Sequence, residues 1–158
     1  MIPSVFSEQL LGTVLACLFS YLVGSVSSGL LIARAANGPD LRTVGSGNTG
    51  ASNVQRTMGW KYGLITFAAD MCKGIVACLA GRLLTGDHMG ALLAGFFAVI
   101  GHNWPVFFGF KGGKGVSTSC GVMCFCFPVQ ALICIGRHHA NIRRLINGTE
   151  NKLGSKKK

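Results

Sequence analysis

The stretch Gln9–Ala33, "QLLGTVLACLFSYLVGSVSSGLLIA", contains no Asp, Glu, Lys or Arg in 25 residues. A helix crosses the hydrocarbon core of a bilayer in about 20 mostly apolar residues, so this run predicts a membrane span. Two more uncharged runs follow, His88–Phe110 with 23 residues and Gly115–Gly136 with 22. Tyr62–Leu84 is a fourth, weaker candidate, because it contains Asp70, Lys73 and Arg82. Core helices of a soluble domain seldom run this long without a polar face. Charged residues make up 13% of the chain, against about 25% in soluble domains. The expected fold class is all-α: a polytopic integral membrane helical bundle of about four spans, forming one domain over residues 1–158.

No basic residue precedes the first run. A cleavable signal needs a positive n-region, so the run reads as an uncleaved span. Only Glu8 lies before it, whereas Arg34, Arg42 and Arg56 follow. The positive-inside rule then puts Met1 outside and the Arg34–Lys61 loop in the cytoplasm. The net charge is +10, and seven of the fifteen basic residues lie in Arg137–Lys158. A basic tail beside a span suits anionic lipid. Nucleic-acid binding lacks support, since no aromatic-studded basic module is present. Ser155–Lys158 reads as a solvated, disordered tail. The seven cysteines sit in apolar runs with no C-x-x-C pair, and read as small hydrophobes, neither a disulfide frame nor a zinc site.

Working outward, Val44–Asn53 reads "VGSGNTGASN", with Gly45, Gly47 and Gly50 at the spacing G-x-G-x-x-G. A dinucleotide site needs a strand before this turn. Here "ARAANGPDLRT" precedes it, polar and broken by Gly38-Pro39. The phosphate half of the idea survives: glycines let backbone N–H groups approach an anion. Ser46, Asn48, Ser52 and Asn53 add donors, and Arg56 adds a planar guanidinium suited to phosphate. A second cluster, "FGFKGGKGVSTS" over Phe108–Ser119, is no Walker A loop. Yet Gly112, Gly113 and Gly115, interleaved with Lys111 and Lys114 at a helix start, again suit phosphate. If alternate spans reverse direction, both loops face one side of the membrane.

These blocks, with "GSVSSG" (Gly24–Gly29), "DMCKG" (Asp70–Gly74), "GHNWPVFFGFKGGKG" (Gly101–Gly115) and "RHHANIRRLINGTENKLG" (Arg137–Gly154), resemble the PlsY family. They occur in family order and cover nearly the whole chain. The resemblance implies a bacterial inner-membrane acyltransferase that moves an acyl group from acyl phosphate to the 1-hydroxyl of glycerol 3-phosphate. Lysophosphatidate and phosphate are the implied products, with no cofactor and no metal, in the first acylation of phospholipid synthesis. It implies that Ser46, Gly47, Asn48, Ser52 and Arg56 hold the acyl phosphate and that Lys114 binds phosphate. It also implies that His138 and Asn141 form the glycerol-phosphate pocket and that Glu150 is an acidic residue of the tail motif. Asp70 and Lys73, three apart, read either as a functional intramembrane pair or as a structural ion pair. His102 lies in a motif without an assigned role, and a histidine hydrogen-bonded inside the bundle is the alternative.

No His-x-x-x-x-Asp acid–base pair exists, and with five carboxylates in the chain a carboxylate-oriented base is not expected. A substrate phosphate oxygen is therefore the expected proton acceptor. The chain departs from the family in length: between Gly115 and Arg137 it has room for one crossing, where the family has several. Either Val116–Gly136 turns back at Pro128 or the chain is internally shortened and carries Arg137 to the other side. Two other readings stay open, a small membrane transporter using Asp70 and an inactive shortened family member.

Overall fold

The computed structural model describes residues 4–139 and 143, and among these there is no strand. Asn141, Glu150 and the basic tail Ser155–Lys158 lie outside the described residues. The elements are α1 (Ser4–Ser25), α2 (Ser28–Ala35), α3 (Ala51–Met58), α4 (Trp60–Thr85), α5 (His88–Asn103), a 3-10 turn (Val106–Phe108), α6 (Val116–Cys126) and α7 (Pro128–Arg137). Helix α1 packs on α4 and α5, and α4 is central, touching α1, α3, α5 and α6. Three segments are long and apolar enough to cross a membrane: Ser7–Ala35, Trp60–Thr85 and His88–Phe108.

The packing follows from side-chain size. The interior holds Ala16, Ala77, Ala91, Ala94 and Ala98, while Leu11, Leu22, Leu64, Leu83 and Phe96 point outward. Lipid is as apolar as leucine, so membrane helices associate through small residues that let backbones approach. At the α1–α5 seam, a Cβ on Gly24 would strike the Ala98 carbonyl oxygen, and one on Gly101 the Tyr21 carbonyl oxygen. The α4–α6 seam repeats this, with Gly74 against the Thr118 carbonyl oxygen and Gly121 against that of Met71. The α4–α5 hairpin is closed by Gly86 in the left-handed region and by Asp87, whose Oδ1 accepts the Gly90 N–H at 2.6 Å.

Two of the uncharged runs are each made of two helices. The first span is not one helix: it breaks at Val26-Ser27 and resumes as α2. The run Gly115–Gly136 is not one crossing helix either. Helix α6 ends after 11 residues, Phe127 adopts φ −136° and ψ 61°, and Pro128 opens the ten-residue α7. Proline lacks the N–H a continuing helix would use, but suits a first turn. The weakest candidate, Tyr62–Leu84, is the longest unbroken helix, because its charges Asp70 and Lys73 pair inside the bundle at 2.9 Å.

Candidate active site

The first glycine loop joins α2 to α3 and is organised by one side chain. Asn53, 2% exposed, donates from Nδ2 to the carbonyl oxygens of Leu41 and Val44, both at 3.1 Å. Its Oδ1 accepts the Ser46 N–H at 2.9 Å. Gly45 (φ 64°) and Gly47 (φ 70°) take the left-handed backbone the tight loop requires. At Gly45 a Cβ would also collide with the Asn53 amide oxygen. Asn48 Oδ1 accepts the Gly50 N–H at 2.8 Å, closing the turn that leads into α3. Buried Leu41, Val54 and Ala33 anchor the loop from below.

The second loop is built on the end of α5. Gly112 N–H donates to the Asn103 carbonyl oxygen at 3.2 Å, and Gly113 N–H to that of His102 at 3.0 Å. Gly115 (φ 76°) then caps α6. The two loops meet over one cavity of about 440 Å³. It is lined by Ser46, Asn48, Gly50, Ala51, Ser52, Asn53 and Arg56 from the first loop and α3. Phe67 of α4, His102 of α5, and Lys114, Gly115, Val116 and Ser117 at the start of α6 complete it. Arg56 of α3 and Lys114 of the second loop are exposed cations lining this space. A small, partly open cleft with two cations, hydroxyls and amides offers donors of the kind that phosphate oxygens accept.

The remaining sequence-derived residues divide. Gly45, Gly47, Gly112 and Gly113 shape the loops and do not line the cavity. Asn53 reaches it, but its amide is spent on the loop backbone. His138 ends α7, exposed, with Nδ1 2.8 Å from the Cys134 carbonyl oxygen, and does not line the cavity. Reading along the chain misses Phe67 and Ser117. Phe67 sits three residues before Asp70 on α4, a spacing that shares one helix face, and that offset was the available signal.

Beneath the cavity lie the buried charges. Lys73 Nζ is 2.9 Å from Asp70 Oδ1 and donates to the Val26 carbonyl oxygen at 2.9 Å, where α1 breaks. His102 Nδ1 is 3.6 Å from the same Asp70 oxygen. A carboxylate thus stands near a histidine of the cavity, 32 positions away in sequence, where the short H-x-x-x-x-D spacing is absent.

The profile of the glycerol-3-phosphate acyltransferase family matches residues 14–137. The chain belongs to the PlsY family of glycerol-3-phosphate acyltransferases. A glycerol-3-phosphate acyltransferase of Clostridioides difficile (strain 630) is 35% identical over 205 aligned positions, covering 94% of this chain and 99% of the relative. Those positions outnumber the 158 residues available, so the relative carries internal sequence that this PlsY-family chain lacks. One from Geobacter metallireducens is 48% identical over 114 residues, 72% of this chain and 58% of the relative. The crystal structure of the integral membrane glycerol 3-phosphate acyltransferase PlsY in its glycerol 3-phosphate form superposes with TM-score 0.71 and 34% identity, covering 90% of this chain and 96% of that one. Its lysophosphatidic acid form gives 0.69 and 32%, over 90% and 95%. The chain is thus a multi-pass helical membrane protein of an acyltransferase family.

Proposed function

We propose that this chain acylates sn-glycerol 3-phosphate at its 1-hydroxyl, using an acyl phosphate as donor. The 1-hydroxyl oxygen attacks the acyl carbonyl carbon, the anhydride C–O bond breaks, and phosphate leaves with the bonding pair. The hydroxyl proton passes to a substrate phosphate oxygen. The products are 1-acylglycerol 3-phosphate and inorganic phosphate, the first acylation of phospholipid synthesis. The observation that carries the reading is the meeting of two glycine loops over one cavity between membrane helices, with Arg56 of α3 and Lys114 of the second loop both lining it. A mixed anhydride is already activated, so the protein has mainly to align two phosphates and offset charge on the leaving group. Ser46, Asn48 and Ser52 supply neutral donors beside those cations. Asp70, the carboxylate a proton-coupled transporter would use, is ion-paired to Lys73, which weighs against that alternative. In this reading the protein sits in the bacterial inner membrane with its N-terminus outside and both loops cytoplasmic, as Arg34, Arg42 and Arg56 favour.

The test is purified protein with palmitoyl phosphate and glycerol 3-phosphate, following phosphate release. Turnover is expected to fall about 100-fold in Arg56→Ala and in Lys114→Ala. Parent protein without turnover beside an active longer relative defeats the proposal for this chain. Labelling that finds Ser46 and Lys114 on opposite membrane faces defeats the site itself.

A further inference from the structure

Asp70, Lys73 and His102 are 1%, 7% and 7% exposed, although each can carry a charge. Burying such groups costs several kcal/mol per ion unless partners offset it. Here the offset is incomplete: Lys73 pairs with Asp70 Oδ1 at 2.9 Å, yet the buried Oδ2 has no hydrogen-bond partner. A cluster kept at that cost calls for an explanation. The explanation lies on the far side of the imidazole. His102 turns Nδ1 toward Asp70, and its opposite edge toward Gly113. A Cβ on Gly113 would run into Nε2, Cε1 and Cδ2 of that ring. The Gly113 backbone is also tied to the His102 carbonyl oxygen at 3.0 Å. The next residue is Lys114, at the cavity wall.

We infer that Lys73, Asp70 and His102 form a positioning unit that sets where Lys114 stands. Lys73 fixes Asp70 and ties α4 to the α1–α2 break through the Val26 carbonyl oxygen. The Asp70 carboxylate faces Nδ1 of the imidazole across 3.6 Å and favours that orientation electrostatically, and the ring is the floor on which the Gly112–Gly113 turn rests. A rotated ring would strike Gly113 and displace the Lys114 ammonium. None of the three acts as acid or base in this inference. It rests on the reading of Lys114 as a phosphate ligand.

The test is a double-mutant cycle joined to hydrogen exchange. The pair Asp70→Asn/Lys73→Met removes both buried charges together, so neither is left alone. Its turnover is expected to fall at least about tenfold with KM for palmitoyl phosphate less changed, and to fall no further when added to Lys114→Ala, because residues acting through one group do not add. Amide exchange across Gly112–Lys114 is expected to quicken about tenfold while the α4–α5 seam stays protected. Multiplicative losses with Lys114→Ala, unchanged exchange in the turn, or protection lost throughout the bundle each overturn the inference. Gly113→Ala reaches the same contact from the other side with the buried pair intact, and should give the same local exchange and the same non-additivity. It decides the matter if the pair variant does not fold. Exchange needs no activity, so a parent without turnover defeats the acyl-transfer proposal and leaves this readout standing.

Discussion

Asn53→Ala isolates how far the first glycine loop depends on one side chain. The substitution removes three hydrogen bonds, to the Leu41 and Val44 carbonyl oxygens and from the Ser46 N–H. Each is worth about 1 kcal/mol net, and more where a buried backbone group is left unpaired, so loop order loses about 3 kcal/mol. That is a factor on the order of 100 in the ratio of closed to open loop. The loop is exposed at Gly45–Gly47, and such segments open below the global unfolding energy. The loss therefore appears at the site before it appears in the bundle. The assay is kcat/KM from phosphate release, with hydrogen exchange at Ser46 and thermal unfolding in detergent. The expected result is a ten- to hundredfold fall in kcat/KM and faster Ser46 exchange, with only a few degrees of change in Tm. Asn53→Asp should be no better, since a carboxylate keeps the acceptor for Ser46 but places negative charge against two carbonyl oxygens. Activity within twofold of the parent, with Ser46 still protected, would refute the reasoning and return Asn53 to an ordinary lining residue.

Three further outcomes are expected. Gly101→Ala puts a methyl group into the Tyr21 carbonyl oxygen and the Ser25 nitrogen. It should cost about 1–3 kcal/mol and lower Tm by several degrees, whereas Gly136→Ala, where a methyl meets nothing, should not. The rate should rise as the substrate phosphate becomes a dianion near pH 6, and that limb should persist in His102→Gln; a limb that vanishes there makes histidine the proton acceptor. Asp40, exposed, is held down to about 2 by hydrogen bonds from Arg42. Its contribution is complete above the ordinary carboxylate range and is lost as pH falls through about 2. Arg42→Ala should return the Asp40 titration, followed by side-chain NMR, toward the ordinary range.

The spans were legible because lipid demands a simple thing, long runs without charge, and residues 9–33 and 88–110 supply it. The exception is instructive. Trp60–Thr85 carries charge inside a span, and while the Asp70–Lys73 pair is visible as an i,i+3 spacing on α4, the His102 beside it comes from a second helix that periodicity along α4 does not reveal. The break at Val26 is hidden for the same reason, since the carbonyl freed there is met by a lysine 47 positions away. Convergence of the two glycine loops follows from span direction, and one cavity does hold residues of both. What each loop residue does was less visible. Ser46, Asn53 and Ser52 look alike as polar side chains in a glycine-rich stretch. Only the folded loop separates Asn53, turned inward on Leu41 and Val44, from the exposed Ser46 and Ser52.

The shortening bears on the site unequally. Both glycine loops precede Val116 and the cavity lining ends at Ser117, so that lining precedes nearly all of Gly115–Arg137, the stretch in which the resemblance of the motifs places the missing sequence. Helix α6 then runs the depth of the bundle. It starts beside Asn103, at one end of α5, and Phe127 after its last residue meets the ring of His88 at the other, with centroids 5.9 Å apart. Helix α7 begins at that far end, packs on α6, and has ten residues. At 1.5 Å each these span about 15 Å, close to the length of the 11-residue α6. His138 at the end of α7 nevertheless stays outside the cavity lining. Under the acyl-transfer reading, the groups suited to the donor phosphate are in place while the family's glycerol-phosphate histidine is not. The defect of this chain against a longer relative should then fall on KM for glycerol 3-phosphate and spare KM for the acyl phosphate.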